Sequence, residues 1–208
     1  MAAEYVSFTS GSGNADPAVV THNHPNNPGH ALVACIQWRP SAALTAVRWG
    51  GAGGTLMTLA VASEVGGRRS AIYYLLLPTL TGSADLWIDQ PADYWVAGVI
   101  SLRNVSVLGD TDAASGTGTS VSLTLDSTID DIAIDSLASE TAAATAGGGQ
   151  TQRWNTSPAG SLGGAASTEP GSATSTTMSW STVSAGDNHN FAAAIFRGAV
   201  GGSQVIWY

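Results

Sequence analysis

Short β-rich apolar runs, each ended by turn-forming residues, follow one another along the whole of this 208-residue chain. The clearest are residues 69–77 and 93–102, where aliphatic and aromatic residues dominate and Gly, Pro, Asp or Asn stand on either side. No segment shows the sustained 3.6-residue apolar period of an amphipathic helix. The pattern predicts an all-β, antiparallel, jelly-roll-like sandwich that forms a single domain over residues 1–208.

Segments rich in Gly, Ser, Thr and Ala interrupt this pattern. We expect long loops at residues 110–118 and 158–174, and a helical turn at residues 142–144. Long loops in compact domains usually carry function or make contacts. Charged residues make up only 11% of the chain, so we expect a neutral surface of short side chains that loses little entropy when packed against a neighbour.

The charge balance excludes several classes of partner and chemistry. The net charge is −8, whereas nucleic-acid binding requires a basic face. The chain has no lysine, which excludes a Schiff-base mechanism. No apolar run approaches the ~20 residues of a membrane span, and the N-terminal residues lack the features of a signal peptide. We therefore expect no nucleic-acid or membrane partner, and synthesis in a cytoplasm. Cys35 lies in an apolar run and is expected to be a small buried hydrophobe.

Histidines offer one possible metal site. His22 and His24 would face the same side of a strand, and they would need His30 or His189 to complete a ligand set. The neighbouring Pro and Asn residues favour a solvated loop instead, and no Cys or acidic residue stands at ligand spacing.

Four carboxylates offer a second possible site. Asp126, Asp130, Asp131 and Asp135 cluster around a turn, and carboxylates are the ligands that Ca²⁺ prefers. Their spacing does not match an EF-hand loop, and turn-forming or strand-edge aspartates explain them as well. No Gly-x-Ser-x-Gly elbow accompanies them. We expect no metal, no other cofactor and no enzymatic activity.

Seven tryptophans support an alternative function, a carbohydrate-binding module that stacks exposed rings on sugars. Trp38, Trp49 and Trp95 lie in dense apolar strands, where core packing is the expected role. Trp154 and Trp207 stand beside loop or terminal residues. These two are the tryptophans we expect to be exposed.

Several motifs together resemble a β-sandwich family found among phage structural genes and related bacterial proteins. The motifs are Asn26-Asn27-Pro28-Gly29-His30-Ala31-Leu32-Val33, Val47-Arg48-Trp49-Gly50-Gly51, Tyr74-Leu75-Leu76-Leu77-Pro78, residues 149–155, Met178-Ser179-Trp180 and residues 191–196. The resemblance covers about residues 5–198 and offers no catalytic motif. It implies a virion component: a capsid decoration (cement) protein, a head fibre or a tail-associated module.

The expected function is therefore that of a non-enzymatic phage virion protein, most simply a capsid decoration protein that stabilises the capsid lattice. Its expected partners are the major capsid protein or other virion subunits, and we expect many copies or a homo-oligomer. The expected location is the virion, assembled in the host cytoplasm. Residues 201–208 are a possible docking segment. The interface candidates are Val205, Ile206, Trp207, Tyr208 and Trp154.

Overall fold

The computed structural model describes residues 1–27, 29–39, 43–77, 81–89, 94–140, 144–156, 162–182, 186 and 188–199. All regular structure in these ranges is β-strand, and every strand pairing is antiparallel. The predicted all-β sandwich is confirmed. Within the same ranges, no helix has the length and apolarity needed to cross a membrane.

The first half of the chain supplies nine strands. They are β1 (Glu4–Gly13), β2 (Ala18–His24), β3 (Ala31–Trp38), β4 (Ala46–Trp49), β5 (Thr55–Leu56), β6 (Thr58–Val65), β7 (Arg68–Leu76), β8 (Gly82–Asp89) and β9 (Trp95–Arg103). They form two sheets: sheet A in the order β1-β9-β3-β7-β6, and sheet B in the order β2-β8-β4-β5.

The second half supplies eight strands. They are β10 (Val105–Thr117), β11 (Ser120–Asp126), β12 (Ile132–Ser139), β13 (Ala144–Ala146), β14 (Thr151–Thr156), β15 (Gly163–Pro170), β16 (Ser175–Thr182) and β17 (Asn188–Gly198). They also form two sheets: sheet C in the order β10-β17-β12-β15-β14, and sheet D in the order β11-β16-β13.

The two halves have the same strand order. In each half the first strand pairs with the last, the last also pairs with the third, and the second strand pairs with the next-to-last in the other sheet. This is the double-sheet arrangement of a jelly roll. The predicted sandwich is therefore built from two jelly rolls in tandem, a repeat that strand-by-strand inspection of the sequence did not find.

Three hydrophobic cores stack the four sheets in the order B, A, C, D. One core lies between sheets A and B, and another lies between sheets C and D. The third lies between sheets A and C and draws residues from both halves, including Val33, Ile100, Ile134 and Phe196. Sheets A and C are thus covered on both faces, which explains the uninterrupted burial of β3 and β12.

The halves pack reciprocally. The edge strand β1 contacts β14, and the equivalent edge strand β10 contacts β6. Such exchange of equivalent partners is the signature of a two-fold interface. The tandem jelly rolls therefore pack like the two subunits of a dimer, joined here in one chain.

Strands occupy most of one expected loop and the middle of another, and for those residues the loop predictions are wrong. Residues 110–118 lie largely within β10, and residues 163–170 of the second expected loop form β15, between β12 and β14 in sheet C. In the second segment the reason is close sheet packing: a Cβ placed on Gly164 would lie 2.5 Å from Cβ of Val96 in sheet A. Small residues are required there, although their composition suggested a loop. The expected helical turn at residues 142–144 lies mostly outside the described residues, and Ala144 begins β13.

A substitution at Gly98 tests whether the two jelly rolls unfold together. Its added Cβ would lie 2.5 Å from the ring of Trp154 across the sheet A–sheet C interface, so Gly98→Ala should lower the free energy of unfolding by about 1–3 kcal/mol through overpacking. Scanning calorimetry should show one transition, shifted as a whole. Gly53→Ala is the control, because Gly53 faces open space. Two transitions, of which only one moves, would show that the halves unfold independently.

Candidate functional sites

Two histidines form a buried polar cluster between sheets A and B. His22 and His24 both face inward from β2, as their spacing predicted, and both are buried. His22 Nε2 lies 2.7 Å and His24 Nδ1 lies 2.8 Å from the Ser101 hydroxyl on β9. The Thr9 hydroxyl lies 3.0 Å from His22 Nδ1. The expected solvated loop is wrong here, since these histidines belong to a strand and its core.

The cluster has the distances of a nucleophile and its base but not their accessibility. Ser101 is 0% exposed, so its hydroxyl joins two sheets rather than meeting a substrate. Burial lowers the pKa of His22 to about 4, and burial together with the nearby His30 and His22 lowers the pKa of His24 to about 4. Both rings are therefore neutral at physiological pH.

The histidines weighed as metal ligands are only partly brought together. The His30 ring packs against the His24 ring, with 5.0 Å between the ring centroids. His189 lies far from β2 in the fold, against Gly116 at the β10–β17 pairing. In the ranges that the structure describes, no three His, Cys, Asp or Glu side chains form a group that could hold a metal ion.

The four aspartates have separate roles. Asp126 and Asp130 are exposed. The Asp131 carboxylate is buried, accepts the backbone N–H groups of Thr128 and Gly198, and lies 3.8 Å from the Arg197 guanidinium. Asp131 therefore ties the turn before β12 to the end of β17.

Asp135 is the centre of a second buried network, between sheets C and D. Its carboxylate accepts the backbone N–H of Ser167 at 2.7 Å and the Ser167 hydroxyl at 2.8 Å. It also accepts the Trp180 indole N–H at 2.8 Å and the Gln150 amide N–H at 2.9 Å. Burial raises the pKa of Asp135 to about 7, against the opposing effect of the hydrogen bonds from Ser167 and Trp180. Sequence reasoning missed this role because only the fold brings the four donors together.

The tryptophans are mostly core residues. Trp38, Trp49 and Trp95 are buried, as predicted, and so is Trp180. Trp154 is only 5% exposed and packs against Gly98, so the expectation that its ring is exposed is wrong. Trp207 lies outside the described residues, as do the other C-terminal interface candidates, Val205, Ile206 and Tyr208. Cys35 is buried as expected, and burial raises the pKa of its thiol.

A charged cleft lies where the edge strands β1 and β14 meet. The Arg153 guanidinium stacks 3.5 Å from the centre of the Tyr5 ring. Its Nε–H and Nη2–H groups donate to the Thr168 hydroxyl at 2.9 and 2.6 Å. No sequence pattern points to this cleft, because Tyr5 on β1 lies far along the chain from Arg153 and Thr168 on β14 and β15.

Comparison of the chain with protein-family models, with curated proteins and with solved structures finds no match.

The histidine cluster predicts a pH dependence. Since the folded-state pKa values of His22 and His24 are about 4 and the unfolded values are about 6.5, the unfolded chain takes up protons first as the pH falls. Their contribution to stability is complete above the unfolded value and is lost as the pH drops toward the folded value. In NMR titrations, the His22 and His24 ring resonances should stay constant down to about pH 5. Titration of either ring near the ordinary histidine value would contradict the assignment.

The hydrogen bonds to Asp135 predict that a single isosteric substitution at this position lowers the free energy of unfolding. Asp135→Asn replaces one carboxylate oxygen by a donor that faces other donors, which costs about 1–3 kcal/mol for each group left unpaired. Urea unfolding at about pH 8, where the native carboxyl is ionised, should show this loss. Asp112→Asn, at an exposed position, should change stability by less than about 0.5 kcal/mol. Equal stability of both variants would mean that the network contributes nothing.

Proposed function

We propose that this chain is a non-enzymatic virion structural protein, most simply a capsid decoration protein that binds and stabilises a capsid lattice in many copies. The observation that carries the proposal is the outer face of sheet D. The buried polar clusters support it too, because Ser101 and Asp135 serve to join sheets and are closed to a substrate.

The outer face of sheet D is nearly uncharged and short-chained. On β11 and β16, the outward residues form the cross-strand pairs Ser120–Ser181, Ser122–Ser179 and Thr124–Thr177, and Thr145 on β13 continues the face. The two hydroxyls of the Thr124–Thr177 pair lie 3.0 Å apart. Short side chains lose little rotamer freedom on contact, so this face can pack on a rigid neighbour at low entropic cost.

The sheet edges support the same proposal. Edge strands of soluble proteins are commonly protected by charges, above all by lysine. Here the edge strands β5 of sheet B and β13 of sheet D carry no Asp, Glu or Arg, while the whole chain lacks lysine. Contact with a lattice neighbour would cover such edges, and repeated weak contacts on a lattice would add up through avidity.

The alternative function, carbohydrate binding through exposed tryptophans, keeps one described candidate. Trp87 is partly exposed on the outer face of sheet B, where its cross-strand neighbours are Val19 and Arg48. Its indole N–H donates to the Asp89 carboxylate at 2.7 Å, which fixes the ring. A single fixed ring supports this alternative less than an aromatic platform would.

The proposal predicts that the protein is found in purified virions in many copies and that particles lacking it break at a lower temperature. Quantitative mass spectrometry of particles and a heat-release assay for packaged DNA measure the two effects. Added purified protein should restore heat resistance. Particles that never contain the protein, or that resist heat equally without it, would rule out the decoration role.

A truncated variant tests the C-terminal interface candidates in the same assays. Deletion of residues 204–208 should reduce attachment to the particles while the protein still unfolds in one transition, because aromatic anchors contribute heavily to interfaces. Trp87→Ala is the matched control: it should leave attachment unchanged. Full attachment of the truncated protein would exclude Val205, Ile206, Trp207 and Tyr208 as anchors.

A further inference from the structure

The cleft around Arg153 has the size and form of a small-ligand site. Its volume is about 310 Å³, within the range of ligand pockets. It lies between the two jelly rolls, since Tyr5 belongs to β1 and Arg153 and Thr168 belong to β14 and β15. Its apolar side includes Ile129, which is 73% exposed, and Pro170.

Arg153 is held in place before any ligand arrives. Tyr5 supports one face of the guanidinium, and Thr168, which is buried, accepts two of its N–H groups through one oxygen. Two of the five N–H donors of the guanidinium group are thereby used, and the plane of the group is fixed. A guanidinium group that is already oriented loses less conformational entropy when it binds a planar carboxylate.

The charge of Arg153 is not compensated within the cleft. Glu4 and Asp131 also line it, but the Glu4 carboxylate pairs with Arg103, and Asp131 faces Arg197 and accepts backbone N–H groups. Among the described residues, no carboxylate lies within ion-pair distance of Arg153. Burial lowers the pKa of Arg153 from its ordinary value, against the opposing effect of Tyr5, and an anion in the cleft would favour the charged guanidinium.

We propose that this cleft binds the carboxylate of an acidic sugar residue, such as a uronic or sialic acid, with Arg153 as the carboxylate receptor. The size of the cleft fits one sugar ring, the exposed Thr151 lines it, and Ile129 and Pro170 offer an apolar wall to the C–H face of the ring. This site is independent of the lattice role proposed above. It adds recognition of a charged glycan to a protein that otherwise acts through surface packing.

The test is an NMR titration of the full-length protein with glucuronic acid and with N-acetylneuraminic acid. Backbone amide shifts should move at Tyr5, Arg153 and Thr168, and glucose at the same concentration should move none of them. Arg153→Gln should weaken binding by about tenfold or more, the loss expected for hydrogen bonds to a charged group. Arg153→Lys should retain part of the affinity, because it keeps the charge but loses the fork.

Arg48→Gln is the control, since Arg48 lies on the outer face of sheet B and outside the cleft lining, and the affinity of this variant should equal that of the unchanged protein. If Arg153→Gln fails to fold, the shift map on the unchanged protein decides alone. Shifts located elsewhere, equal binding of glucose, tighter binding of acetate or of an acidic peptide than of the sugars, or no binding at all would each overturn the proposal. None of these outcomes would bear on attachment to virions.

Discussion

The close approach of sheets A and C is the constraint on which the rest of the structure depends. Gly98 makes room for the Trp154 ring, and Gly164 makes room for Val96, so each sheet provides a glycine opposite a large side chain of the other. Interiors are packed to the density of organic crystals, and no larger residue fits at either glycine without displacement. Because both sheets are covered on their second face as well, a shift at this interface would disturb all three cores.

Polar groups fix the register of that interface. The Gln37 amide donates to the Ser136 hydroxyl at 2.6 Å, and the Ser70 hydroxyl donates to the Ser136 backbone carbonyl at 2.8 Å, which joins β3 and β7 to β12. At the edge of the same interface, Asn190 on β17 bonds to the backbone of Val65 and Arg68. An apolar contact tolerates sliding, whereas a buried hydrogen-bonded pair is satisfied in one position only. The apolar core thus supplies the attraction, and these pairs define one alignment.

The sequence predicts the class of fold because period-two alternation is strong where one face of a strand is buried, as in β11. It fails for β15, because a strand buried on both faces and packed against bulky neighbours requires Gly and Ala, which resemble a linker. The tandem repeat leaves only a faint trace, in the similar apolar runs of β9 and β17. Sites formed by residues far apart in the chain leave no pattern in the sequence. Neither the donors around Asp135 nor the partners of Arg153 have a recognisable spacing along the chain.

Joining the two jelly rolls in one chain removes the identity that a dimer would impose on its halves. In a dimer of identical chains, the two outer faces must have the same residues. Here sheet D presents hydroxyl pairs, while sheet B presents Trp87, Asp85 and Arg48. The two outer faces of the molecule therefore differ in chemistry. The molecule can lie with one face on a surface and present the other to its surroundings, and no second protein is needed to make the two faces different.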